Sequence, residues 1–232
     1  MRRYALSIAC TLMLLAFSGN VVLAQNWVVQ SAGTTNFLWE IRFLDANFGL
    51  AVGDGGFVLR TTNGGSNWAI IQTSTLSPFY GLELVDANIA VAAGAAGVIY
   101  RTTDGGLNWN PQTSGTSNDL TGVWFVGPNT GTVVGLNGTI LRTTNGGSTW
   151  TSQTTSVTTA LYQPFLTDAN NGVIVGEKGV ILRTTDGGAH WAQVISGTTE
   201  DLYGLSFVSS SLGYTCGGNG LIMRTTDGGV TW

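Results

Sequence analysis

The stretch VGEKGVILRTTDGGAHW at residues 175–191 decides the fold, because most of it recurs along the chain almost unchanged. Its last thirteen residues have four near-copies: GFVLRTTNGGSNW at 56–68, GVIYRTTDGGLNW at 97–109, GTILRTTNGGSTW at 138–150 and GLIMRTTDGGVTW at 220–232. Tryptophans stand at positions 27, 68, 109, 150, 191 and 232, each 41 residues after the last. Such regular spacing indicates a tandem repeat.

Each copy has four strand signals, shown here for the last copy: Leu202 to Val208, Gly213 to Gly217, Leu221 to Thr226, and the segment that begins at the tryptophan. A Gly-x-x-Gly unit between the second and third signals predicts a tight two-residue hairpin. Four short strands and their turns fill 41 residues without a helix. The sequence therefore predicts an all-β fold, a β-propeller of four-stranded antiparallel blades with five repeats visible.

The two ends of the repeat array leave the blade count open. Residues Trp27 to Ser31 match the fourth strand of a blade whose other three strands are missing upstream, while the last copy stops at Trp232, where its own fourth strand is due. One alternative is that the N-terminal segment supplies this strand and closes a five-bladed ring. The other is that the sequence is a truncated part of a larger propeller.

The first 24 residues differ from the repeats. Arg2 and Arg3 precede an apolar stretch from Tyr4 to Phe17, and small residues end at Ala24, which predicts a signal peptide at 1–24 and a propeller domain at 25–232. An uncleaved anchor is the alternative, although the apolar stretch is shorter than the roughly 20 residues that a span needs. We expect export to the periplasm or the extracellular space. Cleavage would leave Cys216 as the one thiol of the chain, and we expect that thiol to be buried.

Charge and turn chemistry exclude several functions. The formal net charge is −4, which argues against nucleic acid as a partner. Each of the recurring turns offers at most one carboxylate, and positions 63 and 145 carry Asn. The turns therefore share a hydrogen-bond acceptor and not a charge. We therefore expect no metal ion and no cofactor.

The Thr-x-Asp/Asn-x-Gly-x-x-Trp segment resembles the Asp-box of the BNR repeat family. Its Asp or Asn side chain is able to accept backbone N–H groups across the turn, and its Trp to cover the hairpin, so we expect a structural role. The residues in question are Asn63, Trp68, Asp104, Trp109, Asn145, Trp150, Asp186, Trp191, Asp227 and Trp232.

Sialidases also contain Asp-boxes, and resemblance to them would imply clustered arginines, a nucleophilic Tyr and an acidic general acid. Five arginines here fall in one repeat column, which disperses them over separate blades, and after residue 24 the only other basic residues are Arg42 and Lys178. Glu40 with Glu83 is the only candidate carboxylate pair. His190 occupies a variable turn position that suggests a solvated residue. We predict that the chain is not an enzyme.

Two sets of residues are candidates for binding. The first is the arginine column, which either forms a rim for a carboxylate-bearing partner or pairs within the molecule: Arg60, Arg101, Arg142, Arg183 and Arg224. The second lies in variable columns of the first strand and either faces the central channel as a binding site or plugs it through an ion pair between Arg42 and Glu83: Glu40, Arg42, Glu83, Trp124 and Gln163.

The pattern at Val175 to Trp191 is more similar to the photosystem II assembly and stability factor family of BNR-like propellers than to sialidases. This resemblance implies a scaffold that holds a protein partner, such as an assembly intermediate of a membrane complex, and a thylakoid-lumen location in a photosynthetic source. Family members usually have seven blades. The alternative functions are an extracellular carbohydrate-binding or surface-binding adhesion module and, with less support, a sialidase-like glycoside hydrolase.

Overall fold

The computed structural model describes residues 28–232. The predicted signal peptide and Trp27 lie outside these described residues. The described part of the chain contains nineteen β-strands. Its helical segments are single turns at Ala95–Gly97, Glu177–Gly179 and Gly218–Gly220. Among the described residues there is no helix with the length and apolar character that a membrane crossing requires.

The strands form five antiparallel sheets, one for each repeat, which confirms the predicted all-β propeller architecture. Blades 1 and 2 contain β1 (Leu38–Phe43), β2 (Gly49–Gly53), β3 (Phe57–Thr61), β4 (Ala69–Gln72), β5 (Phe79–Leu84), β6 (Ala90–Gly94), β7 (Ile99–Thr102) and β8 (Asn110–Gln112). Blades 3 to 5 contain β9 (Leu120–Val126), β10 (Thr130–Gly135), β11 (Ile140–Thr143), β12 (Thr151–Ser152), β13 (Leu161–Leu166), β14 (Gly172–Gly176), β15 (Ile181–Thr184), β16 (Ala192–Val194), β17 (Leu202–Phe207), β18 (Gly213–Gly217) and β19 (Ile222–Thr225).

The first strand of each blade is its innermost strand. Strands pair in chain order within every sheet, and β1, β5, β9, β13 and β17 pack in series, each on the next. Glycines on these inner strands allow the close approach: a Cβ built at Gly81 would lie 3.1 Å from the Cα of Gly122. The inner strands therefore line one side of the array of blades. The sequence analysis predicted that this side faces the central channel.

An apolar cluster fills the junction between each pair of consecutive blades. At the junction of blades 2 and 3, Val91 and Ile99 meet Leu120 and Val123, and all four side chains are buried. In blades 1 to 4 the sheet packs on both faces, and its second strand is an almost continuous buried run, as in Ala90–Gly94, whereas β18 of blade 5 is partly exposed. Burial of this kind is the main force that holds a propeller together.

The turn between the second and third strands is a two-residue hairpin whose central residues both have positive φ. In blade 2 these residues are Ala96 (φ 55°) and Gly97 (φ 74°), and the N–H of Val98 bonds to the carbonyl oxygen of Ala95. This is the pattern of a type I′ turn. The hairpin is thus centred one residue later than the inner pair of the Gly-x-x-Gly unit, on its second inner residue and its last glycine.

The Asp or Asn turn that precedes each tryptophan is held by side-chain hydrogen bonds. In blade 2 the Thr102 hydroxyl donates to Asp104 Oδ1 (2.8 Å), which also accepts the Asn108 N–H (2.9 Å), while the Gly106 N–H donates to Thr102 Oγ1 (3.0 Å). In blade 1, Asn63 Oδ1 accepts a backbone N–H at the same position (2.9 Å). A neutral amide oxygen therefore serves this turn as a carboxylate does.

Of the two alternatives for the ends of the array, closure of the fifth blade by the N-terminal segment is not seen in the described residues 28–31. They form no strand, and the sheet of blade 5 has only β17, β18 and β19. Instead, Gln30 lies against Gly65 of blade 1, as Gln153 lies against Gly188 of blade 4, three repeats further on. The segment thus occupies the place of a fourth strand next to blade 1.

The sheet of blade 5 has blade 4 on one face, and its other face, here called the outer face, is open among the described residues. Ile222 is 74% exposed, whereas its counterparts in blades 1 to 4 are at most 1% exposed: Val58, Ile99, Ile140 and Ile181. Cys216 is exposed as well. The prediction of a buried thiol is therefore wrong, because no blade packs over the position that buries Val175 in blade 4.

Candidate binding site

The arginine column connects neighbouring blades. Arg60, Arg101 and Arg183 each donate from Nε to the carbonyl oxygen of a glycine 45 residues further on, at 2.7, 2.6 and 2.9 Å. Arg142 donates from Nη2 to the carbonyl oxygen of Ala169 (2.6 Å), and Arg224 on blade 5 is exposed. The guanidinium groups thus lie at separate junctions and do not converge on one site.

The arginines pair within the molecule, but their acceptors are backbone carbonyls and not the carboxylates that the sequence offered nearby. Asp45 Oδ1, for example, accepts the N–H groups of Asn47 (2.7 Å) and Phe48 (2.8 Å) in its own turn. Asp86 makes the equivalent bonds in blade 2. These aspartates therefore stabilise the turn between the first and second strands of their own blade.

Three charged residues of the inner strands form a chain across blades 1 and 2. Arg42 lies between Glu40 (Nη1 to Oε1, 2.5 Å) and Glu83 (Nε to Oε2, 3.3 Å). Burial raises the pKa of Glu83 to about 7, and the Arg42 charge only partly opposes this effect. Burial also raises the pKa of Glu40. The two carboxylates are bridged by one guanidinium group and do not flank an open space.

The corresponding positions of blades 3 and 4 are aromatic. Trp124 stacks on Phe165 with their ring centroids 4.2 Å apart, and its indole N–H donates to the carbonyl oxygen of Leu166 (3.1 Å). The inner strands are therefore joined by an ion pair at one junction and by stacked rings at another. The ring face and the indole N–H of Trp124 are thus both used in contacts with blade 4.

A different column, not singled out in the sequence, lines an open cavity on one face of the propeller. Every first strand contains a β-bulge, because the residue at this position has no partner on the second strand: Leu38 pairs with Gly53 and Glu40 with Val52, which leaves Trp39 unpaired. The same irregularity occurs in the other four blades. We call these unpaired residues the bulge column: Trp39, Tyr80, Thr121, Tyr162 and Tyr203.

The bulge column lines a cavity of about 470 Å³, here called the mouth, together with Asp119, Leu136 and Gln163. The mouth lies on the face where the first strands begin and where the type I′ hairpins lie. Of the binding residues that the sequence suggested, only Gln163 lines it. Bulges turn a side chain away from the regular alternation of a strand and are common beside functional sites.

The aromatic rings of the mouth form two pairs. Trp39 and Tyr80 meet edge to face with centroids 5.8 Å apart, and Tyr162 and Tyr203 lie 5.3 Å apart at an angle of 32°. Thr121 separates the two pairs, and its hydroxyl donates to the carbonyl oxygen of Leu161 on the next blade (2.5 Å). The mouth is thus a cup with aromatic walls.

Sequence reasoning missed these residues because strict alternation along the first strand directs attention to its neighbours. Four aromatic residues in one 41-residue column, outside the turn motif, were the available signal. Within the described range no three His, Cys, Asp or Glu side chains converge as ligands for a metal ion. His190 is exposed and pairs with Asp186 of its own turn, with 2.7 Å between Nδ1 and Oδ2.

Comparison with solved structures supports the fold. A structure of YCF48 bound to D1 peptide aligns with a TM-score of 0.52 at 16% identity, covering 88% of this chain and 82% of that chain. The GH74 enzyme of Niastella koreensis aligns with a TM-score of 0.66 at 17% identity, covering 84% of this chain and 37% of that chain. The WD40 propeller domain of Doa1 gives 0.66 at 12% identity, with 84% and 66% covered.

At these identities the structural matches establish the propeller fold alone. None of the curated proteins is similar enough in sequence to match the chain. The family model of the photosynthesis system II assembly factor YCF48 matches residues 26–121 and 113–198, which together run from residue 26 to residue 198 of 232. Because this model covers well over half of the chain, the protein belongs to the family of the photosynthesis system II assembly factor YCF48.

Proposed function

We propose that this chain is a non-enzymatic propeller scaffold that binds a segment of a protein partner at the mouth. The observation that carries the proposal is the bulge column, which places four aromatic side chains around an open cavity of about 470 Å³. Aromatic side chains with a polar edge are the residue types that most often supply binding energy at protein interfaces. The family membership supports a role in the assembly of a membrane complex.

The size and lining of the mouth suit a short peptide segment. A cavity of this volume falls within the range of specific ligand sites, and Tyr hydroxyls, the Thr121 hydroxyl and the Gln163 amide offer hydrogen-bonding groups beside apolar surface. The structurally similar YCF48 was solved with a D1 peptide bound. By this analogy, we propose that the partner of this chain is a peptide segment of a membrane-complex intermediate.

The arrangement of the acidic residues favours binding over catalysis. A glycoside hydrolase needs one carboxyl group as an acid and another as a base or nucleophile, on either side of the scissile bond. Glu40 and Glu83 are instead bridged by Arg42. Aromatic walls also suit sugar rings, so a glycan-binding module is the second candidate function.

We further propose that residues 1–24 direct export of the chain, to the thylakoid lumen in a photosynthetic source and otherwise to the periplasm or cell surface. For the arginine column we propose a structural role, which is mainly to hold neighbouring blades together, at Arg60, Arg101, Arg142 and Arg183. Gln163 is the residue of the sequence-based candidate set that we retain in the proposed site.

Cross-linked capture from membranes of the source organism tests the proposed function. The variant Tyr162→Ala/Tyr203→Ala removes one aromatic wall of the mouth. The matched control is Tyr214→Ala, which removes an exposed tyrosine from the outer face of blade 5. We expect the wild type and the control to capture the same membrane-complex subunit, identified by mass spectrometry, and the double variant to lose it.

Equal capture by all three proteins would contradict the proposed site. Binding of cellotetraose by the wild type, lost in the double variant and without capture of any protein, would replace the peptide by a glycan. Circular dichroism of each variant establishes that a loss of capture is not a loss of fold.

A further inference from the structure

The mouth is acidic as well as aromatic. Asp119 lines it directly, and Asp54 lies beside the Trp39 indole, whose N–H it accepts at 2.8 Å. On the opposite wall the Tyr203 hydroxyl donates to Asp201 Oδ2 (3.3 Å). Every aromatic pair of the mouth therefore has a carboxylate next to it.

Two of these carboxylates, Asp119 and Asp201, are held in place by the backbone of the preceding blade. Asp119 Oδ1 accepts the N–H of Ala96 (2.8 Å), and Asp201 Oδ1 accepts the N–H of Lys178 (2.8 Å). Each donor belongs to the centre of a type I′ hairpin. Within residues 28–232, the second carboxylate oxygen of Asp119 has no hydrogen-bond donor, so it is available to a ligand.

Basic side chains on this face are scarce. Lys178 is the cation beside the mouth, and its Nζ already pairs with Glu177 Oε1 (3.0 Å). Glu200 adds a further carboxylate and accepts only the neutral amide of Asn219 (2.9 Å). The described part of this face thus carries an excess of negative charge around an aromatic cup.

The negative charges beside the mouth also affect the pKa values of its tyrosines. Burial, followed by the charges of Asp119 and Asp54, raises the pKa of Tyr80. The charge of Asp201 is the largest cause of the raised pKa of Tyr203. The part of each pKa shift that comes from neighbouring carboxylates, unlike the part that comes from burial, also favours a cation in the same space.

We propose that the mouth binds the side chain of an arginine or lysine presented by the partner peptide. Aromatic faces attract cations through their quadrupole, and fixed carboxylates add charge complementarity and, for arginine, a hydrogen-bond acceptor. This inference rests on the proposed function, because it names the group that the mouth recognises in its peptide. A neutral sugar could donate hydrogen bonds to these carboxylates but would gain no charge complementarity from them.

Titration with a matched pair of peptides tests the inference. One is an acetylated, amidated pentapeptide with a single arginine between leucines, and the other has citrulline, a neutral isostere, in place of arginine. Isothermal calorimetry on the full chain is expected to give a Kd for the arginine peptide roughly five- to thirtyfold lower than for the citrulline peptide. Added salt should reduce the ratio.

The variant Asp119→Asn separates charge from structure. Its side-chain oxygen still accepts the N–H of Ala96, but its charge is gone, so the ratio of the citrulline-peptide Kd to the arginine-peptide Kd should fall towards one. The matched control is Asp45→Asn, which makes the same change in a backbone-bonded carboxylate on the opposite face. The control should keep the full preference.

Equal Kd values for the two peptides on the wild type, or an arginine preference that survives Asp119→Asn, would overturn the inference. If the two peptides bind equally and binding is still lost in Tyr162→Ala/Tyr203→Ala, the proposed peptide scaffold stands and only the cation specificity fails. If neither peptide binds and membrane capture is independent of the tyrosines, both proposals fail.

Discussion

The Arg101 side chain crosses from blade 2 to blade 3 and donates from Nε to the carbonyl oxygen of Gly146 at 2.6 Å. Gly146 lies in the turn before Trp150, so the bond joins the third strand of one blade to the turn motif of the next. Blades 1 and 4 make the same bond to the blade that follows them. The most regular charged column of the repeat therefore serves as a set of connectors.

We expect Arg101→Met to lower the free energy of unfolding by about 1–3 kcal/mol, because it removes a charge-assisted hydrogen bond and leaves a partly buried carbonyl without its donor. Urea denaturation followed by tryptophan fluorescence measures the change. The control is Arg224→Met, where the arginine is exposed on blade 5 and the expected change is below about 0.5 kcal/mol. Equal losses in the two variants would contradict the connector role.

We expect Trp109→Ala to cost roughly 3–5 kcal/mol, as is usual for a large buried aromatic side chain. Trp109 is 8% exposed, and its indole N–H donates to the carbonyl oxygen of Gly106 (3.2 Å). Trp39→Ala is the control, because Trp39 is 54% exposed at the mouth. A loss under about 1 kcal/mol for Trp109→Ala would show that this ring does not hold the turn.

The raised pKa of Glu83 predicts that stability falls as pH rises from 5 to 8. The ordinary value is 4.5 and the folded value about 7, so between these limits the folded state binds a proton that the unfolded state has released. Around Glu83, β1 contributes Glu40 and Arg42, while β6 and β9 contain no titratable residue. The group is expected to destabilise the protein at pH 8 by up to about 3 kcal/mol relative to pH 5.

The variant Glu83→Gln tests this dependence, because glutamine stays neutral at every pH. Thermal unfolding of both proteins from pH 5 to 8 should show a steeper decline in the wild type than in the variant, in which only the raised pKa of Glu40 still contributes a decline of the same sign. The turn carboxylates do not interfere: the Asn108 N–H is the largest cause of lowering the pKa of Asp104 to about 2, so its contribution is lost only as pH falls below about 4. Parallel pH profiles would be evidence against a protonated Glu83.

Ala96 offers a stabilising substitution. Its φ of 55° is the left-handed conformation, which an alanine adopts at a cost and a glycine does not. We expect Ala96→Gly to raise the free energy of unfolding by up to about 1 kcal/mol. Ala95→Gly, one residue earlier in the same hairpin, is the control, and a gain there as large as that of Ala96→Gly would argue against relief of strain.

The amino-acid sequence by itself determined the repeat, the strand pattern within a repeat and the turn chemistry. These features depend on residues within one hairpin, such as Thr102, Asp104 and Asn108, whose hydrogen bonds span at most a few positions. The 41-residue period then fixed the number of blades visible in the chain. Local backbone preference and apolar patterning are sufficient for this level of structure.

Only the tertiary structure decided what each column contacts. The acceptor of Arg101 is 45 residues away, the exposure of Cys216 depends on whether a blade covers it, and the position of Trp39 depends on a bulge that breaks strand alternation. A repeat period states which residues are equivalent, but not which surface each presents to its neighbour. That is set by how the twisted sheets pack on one another, which is a property of pairs of blades and not of any single repeat.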